Sequence, residues 1–318
     1  EGALFRAPFI IRRQMANYNF KNEAEVYIDA GAGKIRLDVT KDLSFSQTFT
    51  DNTYEQKTLH APQNLHDASN ITKANPASFS FTIPAVTETE LDTVFNLLVN
   101  FKSGTYTLNT FTMYIRLPND VYRLENCVIT NGTFIIEKLE NLKLAISGEA
   151  SRLTKGNTSF ASFSGGTRTP QYMKDLSVFM STTNLTEGVF SAAVELQNNI
   201  EWTPYETVNK ALNIGNTHNV NTTMYPSNFT LKKRIVSGSV GQYVLDTFNS
   251  DIQGWKQNVP VVITAGNGLT GNNFRGFKFN FSKCSFTNRN NVGDVFTQSY
   301  DWISNDNTTN LGSKITYN

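Results

Sequence analysis

Stretches of alternating apolar and polar residues recur along the chain, and most have the period of two that marks a strand with one buried face. Ile35, Leu37 and Val39 alternate with Lys34, Arg36 and Asp38, after Glu25–Ile28 and a Gly31-Ala-Gly33 turn, which predicts a hairpin. Phe79, Phe81 and Ile83 alternate with Ser80 and Thr82, and Leu142, Leu144 and Ile146 alternate with Asn141, Lys143, Ala145 and Ser147. One stretch switches to a helical period: Leu91, Val94, Phe95, Leu98 and Val99 form a single stripe, and Thr87 three places before Glu90 has the spacing of a capping box. In two places the alternation slips by one residue. Tyr122 and Leu124 give way to Cys127 and Ile129, and Phe277, Phe279 and Phe281 give way to Cys284 and Phe286. An extra residue of this kind predicts a β-bulge.

The two slips are one sign of an internal repeat. Cys127-Val-Ile-Thr-Asn131 returns as Cys284-Ser-Phe-Thr-Asn288, 157 positions on (284 − 127), and the apolar pattern of Val39–Phe45 returns in Leu196–Trp202 at the same spacing (196 − 39). Asn75-Pro76-Ala-Ser-Phe79 matches Tyr225-Pro226-Ser-Asn-Phe229 at a spacing of 150 (225 − 75), and the apolar stretches that follow end at Gly104 and Gly254. Four matches in the same order, with length changes confined to loops, predict two tandem copies: 1–157 with an N-terminal arm, a Ser/Gly-rich linker at 158–170, a second copy at 171–303, and a polar, loosely ordered tail at 304–318. The second copy should open with its own hairpin-like pair, Ser177–Met180 and Ala192–Leu196. It should carry its own helix, with Ser239 three before Gln242, then Val244, Phe248 and Ile252. Long polar connections, about 51–75 and 203–225, predict contact loops that order on assembly.

Composition narrows the class. The 318 residues are 39% hydrophobic and 12% aromatic, enough for packed cores, while only 17% are charged, against a usual share of about a quarter. The formal net charge of +1 suits a subunit that associates with itself, and it lacks the basic excess of a dedicated nucleic-acid binder. No apolar run reaches the roughly 18 residues of a membrane span, so no membrane insertion is expected. Near the N-terminus the apolar residues 7–11 precede Arg12 and Arg13, the reverse of a signal peptide, so assembly in the cytoplasm is expected.

Candidate chemistry is sparse. His60, His66 and His218 all fall in the long connections without cysteine or carboxylate companions at ligand spacing. Cys127 and Cys284, at matching strand positions, read as buried thiols, not as a bonded pair or a nucleophile. Glu88 and Glu90 are accounted for by the start of a helix. Lys232-Lys233-Arg234 reads as a solvated face, a phosphate contact or a partner for acids on a neighbouring subunit. No catalytic, cofactor or metal residues are assigned, so the chain reads as a non-enzyme.

A hairpin, a long loop, a strand, one helix and closing strands, given twice, make the sequence resemble the tail tube proteins of long-tailed phages. The resemblance runs over about residues 20–303, through Leu124-Glu-Asn-Cys127-Val-Ile-Thr-Asn-Gly-Thr-Phe134, Asn141–Glu149, Thr186–Ser191, Asn199-Ile-Glu-Trp202 and Met224–Phe229. The duplicated form resembles that of flexible-tailed siphophages related to coliphage T-five, although those proteins often append an immunoglobulin-like domain for which this sequence leaves no room. The resemblance implies a mainly β fold, a sandwich or barrel with one flanking helix per copy. It implies trimeric, pseudo-hexameric rings that stack into a tube for DNA ejection in the virion tail. The implied partners are further copies of the chain, tail-tip or initiator and terminator proteins, the tape measure protein during assembly, and DNA in transit, with no cofactor. Arg36, Asp38, Lys143, Ser147, Glu195, Gln197, Lys278 and Asn280 would face the lumen, and loops bearing His60, His66, Asn70, Pro204, His218 and Asn221 would dock the next ring. The alternative reading is a virion adhesin or carbohydrate-binding β-protein using Trp202, Trp255 and Trp302. The tube reading expects two of these three, as strand residues, to be buried.

Overall fold

A computed structural model describes residues 19–31, 34–37, 39, 42–55, 67–84, 88–137, 140, 142–156, 175–181, 183–185, 187–203, 224–244, 254–266 and 276–317. The first half holds β1 (Glu25–Asp29), β2 (Lys34–Leu37), β3 (Ser44–Ser46), β4 (Phe49–Glu55), β5 (Asp67–Ala74), β6 (Ala77–Pro84), helix α1 (Glu88–Val99), β7 (Phe111–Arg116), β8 (Val121–Glu137), β9 (Lys143–Ala150) and β10 (Arg152–Gly156). The second holds β11 (Asp175–Met180), β12 (Thr183–Asn184), β13 (Val189–Trp202), β14 (Phe229–Tyr243), β15 (Trp255–Gly266), β16 (Gly276–Asn291), β17 (Thr297–Ser304) and β18 (Ile315–Tyr317). The protein is mainly β: sixteen of these strands form one continuous sheet, and β4 and β5 form a separate pair.

The alternation read from the sequence becomes burial. Phe79, Phe81 and Ile83 on β6 and Leu144 and Ile146 on β9 are buried, and their polar neighbours face outward. Across the sheet the buried residues line up in register rows, Ile83–Leu144–Phe134–Val194 and Phe81–Ile146–Gly132–Leu196, so both halves contribute to one core. Helix α1 covers this face. Its apolar stripe buries Val94, Phe95, Leu97, Leu98 and Val99, and the Phe95 ring meets the Phe134 ring edge-on at 6.4 Å. The slips in alternation are bulges, as predicted: register shifts occur where Phe111 and Met113 face Cys127 and Leu124, and where Val259 and Val261 face Cys284 and Phe281.

The strand pairings run in the same order in each half. In the first, β1 pairs β7, β7 pairs β8, β8 pairs β9, β9 pairs β6 and β6 pairs β3. In the second the order is β11, β15, β16, β17, β14 and β13. Two glycine sites show the same packing solution with the strands exchanged. Phe79 lies across from Gly148 and its ring covers the glycine, and Trp302 lies across from Gly238 and covers it likewise. A Cβ on Gly148 would collide with the Phe79 ring and the Val128 carbonyl oxygen, and the latter belongs to the backbone and cannot move aside. Gly148→Ala is therefore expected to destabilise the fold by about 1–3 kcal/mol, the usual cost of overpacking, read as a lowered denaturant midpoint with unchanged slope.

Four expectations need correction. In place of the hairpin expected between Ser177–Met180 and Ala192–Leu196, β11 pairs with the short β12, while Ala192–Leu196 lies in β13 between β14 and β8. A strand buried on both edges of the joint uses the apolar alternation that the hairpin reading assigned to a local partner. Ser239 and Gln242 do not cap a helix; they lie in β14, which runs from Phe229 to Tyr243 because it pairs with β13 and β17 along its length. Phe248 and Ile252 lie outside the described residues. The described part of the first long connection is an antiparallel strand pair, β4 with β5, whose polar, β-compatible residues carry no apolar alternation in the sequence. The C-terminal tail is docked: Leu311 and Ile315 are buried and β18 pairs with the first half of β16.

Asp306 anchors that tail. It accepts hydrogen bonds from the Ser282 amide (2.7 Å), the Ser282 hydroxyl (2.8 Å) and the Lys283 amide (3.3 Å), and its carboxylate lies 3.4 Å from the Lys314 ammonium. Burial alone would raise its pKa, but these donors and the lysine together hold the carboxyl below its ordinary range. A depressed acid pKa contributes stability above the unfolded value, and that contribution is lost as pH falls through the folded value. Asp306→Asn is expected to lower stability at pH 7 and to flatten its decline below about pH 4, measured by urea unfolding across pH.

Candidate assembly surfaces

The face of the sheet opposite the core carries a small-polar surface. Register places Ser44, Ser80, Ser147, Asn131 and Gln197 in one row across β3, β6, β9, β8 and β13. The next row reads Thr82, Ala145, Thr133, Glu195 and Ser237, and the one after it Pro84, Lys143, Ile135, Ala193, Ser239 and Asp301. Within this face charges are paired or hydrogen-bonded. Glu195 accepts from the Asn131 and Gln197 side-chain amides, each at 2.9 Å, and Lys143 bridges Glu140 at 3.0 Å.

Of the eight residues assigned to a common lining, the structure brings Lys143, Ser147, Glu195 and Gln197 onto this face. Arg36 lies on β2 in the branch that pairs β1 and β7, with Glu25 at 3.5 Å. Lys278 and Asn280 lie on the first half of β16, opposite Thr264 and Val262 of β15, away from those rows. Asp38, His60, His66, Pro204, His218 and Asn221 lie outside the described residues. Asn70 is on β5, paired with Asn52, so it belongs to the hairpin and not to an open loop.

Arg234 is the residue that sequence reasoning missed. The basic run divides: Lys232 is exposed and bridges Glu201 at 2.6 Å, whereas Arg234 is buried. Arg234 Nη2 donates to the carbonyl oxygens of Leu98 (3.0 Å) and Val99 (2.8 Å), and its Nε donates to the Asn198 side-chain oxygen (2.8 Å). Its guanidinium lies 4.6 Å from the centre of the Phe101 ring. A cation at the last carbonyls of α1 complements the negative end of the helix dipole. Burial lowers the Arg234 pKa to about 10, which leaves it charged at neutral pH. The run of three gave no sign of this, because only the helix of the other half reveals the partner.

Cys127 and Cys284 are buried and free, as expected; burial pushes the Cys284 thiol up to about 12 and raises Cys127 further. Trp302 is buried, Trp202 is half-buried with its indole N–H donating to Glu149 (2.6 Å), and Trp255 is 69% exposed. Among the described residues no group of three or more His, Cys, Asp or Glu side chains is placed to hold a metal ion.

The mainly β fold, one continuous sheet with a docked helix, is consistent with a β-rich tube protein. The family model that matches spans residues 16–318, and the chain belongs to the Bacteriophage Baseplate Tube Protein Family. It is accordingly a structural component of the phage tail or baseplate, part of the virion. No curated protein matches the chain.

Proposed function

We propose that the chain forms a trimeric, pseudo-hexameric ring of the tail tube at its baseplate end, a conduit through which DNA passes on ejection. One observation carries this reading: the same six-strand pairing order occurs twice in one chain, and the second circuit joins the first edge to edge through β13 and β8. Three such chains supply six circuits, the number a six-lobed ring needs. Two tandem copies of a tail tube fold in one chain, of the kind seen in flexible-tailed siphophages, are the simplest source of that order.

In this role the small-polar face lines the channel. Serines, threonines and amides with paired charges give DNA few uncompensated cations to hold it, so passage is not slowed by phosphate binding. The partners are further copies of the chain in the ring, neighbouring rings, the tail-tip and terminator proteins, and the tape measure protein during assembly. Antibody-gold labelling of intact virions tests the placement. Label at the baseplate end of the tail is expected; label on the capsid or on side fibres alone would overturn it.

A second reading rests on Trp255. This exposed indole borders a cavity of about 420 Å³ that is also lined by Lys256, Phe286, Asp301 and Trp302, an arrangement suited to stacking a sugar ring. Quenching of the exposed indole by a glycan array hit, with loss in Trp255→Ala, would favour that adhesin reading.

A further inference from the structure

The joint between the two halves is a strand addition. On β8, β7 pairs only as far as Cys127; beyond it the same strand takes β13, with Asn131–Glu137 opposite Ser191–Gln197. The corresponding strand of the second half, β16, has β15 beside it only as far as Thr287, and the Asn288 amide makes a last bond to the Gly254 carbonyl. From Arg289 on, that edge has no strand partner among the described residues. Just beyond this edge Val292, Val295 and Phe296 are all exposed, Val292 at 78%.

The complementary edge is β3. In the second half β13 lies beyond β14; in the first half β3 lies beyond β6 and pairs with nothing else among the described strands. The pairings fix which residues correspond. Ser46–Ser44, Ser78–Ser80 and Glu149–Ser147 on β3, β6 and β9 stand where Glu195–Ala193, Ser237–Ser239 and Ile303–Asp301 stand on β13, β14 and β17. Likewise Gly132, opposite Ile146 of β9, corresponds to Asn288, opposite Tyr300 of β17.

Resting on the ring reading, we propose that β3 of one copy adds in antiparallel fashion to the free edge of β16 on the next copy. Transferring the internal joint gives the register: Leu43 opposite Val292, Ser44 opposite Asn291, Phe45 opposite Asn290 and Ser46 opposite Arg289. Facing is preserved. Leu43 and Phe45 correspond to the core-facing Ala192 and Val194, and Val292 corresponds to Ile136, which is 1% exposed because the internal joint covers it. The contact removes two open edges that would otherwise pair at random. It is also more polar than the internal joint, with Asn290 in the place of Phe134, so the joint between chains is the weaker of the two and the chain folds before the ring closes.

Ser44 and Asn291 are both exposed, so cysteines there leave the core intact, and directly opposed strand residues have Cα atoms about 4.5–5.5 Å apart, within disulfide reach. The S44C/N291C variant, mildly oxidised under conditions where electron microscopy shows rings, is expected to give covalent dimers and trimers on a non-reducing gel. S44C/T287C, four residues or about 13 Å out of register, and the two single variants are expected to remain uncrosslinked. Rings without the in-register crosslink, or with equal crosslinking in both pairs, would overturn the interface while leaving the ring reading standing. A protein that stays monomeric and uncrosslinked at all concentrations and on tail-tip seeds would overturn both.

Discussion

Arg234→Met is expected to lower the free energy of unfolding by about 3 kcal/mol, with the denaturant slope unchanged. The substitution keeps much of the buried volume but removes the donor of the Val99 carbonyl and of the Asn198 side-chain oxygen and one of the two donors of the Leu98 carbonyl, and a buried group left unsatisfied costs about 1–3 kcal/mol. The Leu98 carbonyl keeps the Asn198 side-chain amide as a donor, so the loss falls mainly on Val99 and on the Asn198 side-chain oxygen. Arg234→Lys restores the charge but not the fork, since one ammonium cannot reach Asn198 and both carbonyls with fixed geometry; it is expected to recover less than half of the loss. Arg234 stays protonated at neutral pH, so the effect is expected to be constant from pH 5 to 9. Urea unfolding of the three proteins at two pH values checks each part.

Phe134→Ala costs more, about 3–5 kcal/mol. Its ring is fully buried and packs edge-on against Phe277 at 4.8 Å, Phe279 at 5.1 Å and Phe95 at 6.4 Å, which ties β8 of the first half to β16 of the second and to α1. The cavity left by the ring would be bounded by strands fixed on both sides by pairing, which limits collapse and places the cost toward the upper end of that range. Because the core is shared, the native chain is expected to unfold in a single transition reported equally by tryptophan fluorescence and far-ultraviolet circular dichroism. In the Phe134→Ala variant the two probes are expected to separate, as the halves lose their common contact. A single coincident transition shifted by less than 1 kcal/mol would show that the halves do not depend on this ring.

The parts of the fold that were legible in the sequence are those where burial on one face imposes a period. β6, β9 and α1 follow from the alternation of Phe79–Ile83 and Leu142–Ile146 and from the stripe Leu91–Val99, and both bulges follow from the slip beside Cys127 and Cys284. What failed did so where the partner decides the structure. Residues 239–243 have a mixed pattern, and only the long pairing with β13 and β17 makes them a strand. Ala192–Leu196 reads as half of a local hairpin, yet its partners are β14, about forty residues downstream, and β8, more than fifty residues upstream. The tail from Ser304 is polar enough to look unattached; two buried residues, Leu311 and Ile315, and one carboxylate, Asp306, dock it.

For the candidate surface the sequence gives the phase of the residues along each strand and not the neighbours of that strand. Alternation identified residues facing away from the core, and four of the eight chosen share register rows, but alternation does not say which strands lie side by side. Arg36 and Lys278 have the right phase on strands that lead into other branches of the sheet. The matching of copies along the sequence has the same limit. Phe45 and Trp202 agree in pattern and pair with Phe79 and Phe229 in the same way. Traced through the pairings around the sheet, however, β3 stands in the place of Ala193–Glu195, because β14 is extended at its start and the whole joint shifts with it.

In the proposed ring three copies of this chain close around an open channel with six similar lobes. Electron microscopy of the purified protein over a concentration series, with tail-tip seeds added, measures this directly through the rotational symmetry of the particles. Rings of three chains with a central hole are expected, three-fold in strict symmetry and nearly six-fold at low resolution. Rings of six chains, closed particles without a channel, or monomers that never assemble on the seeds would contradict the proposed ring.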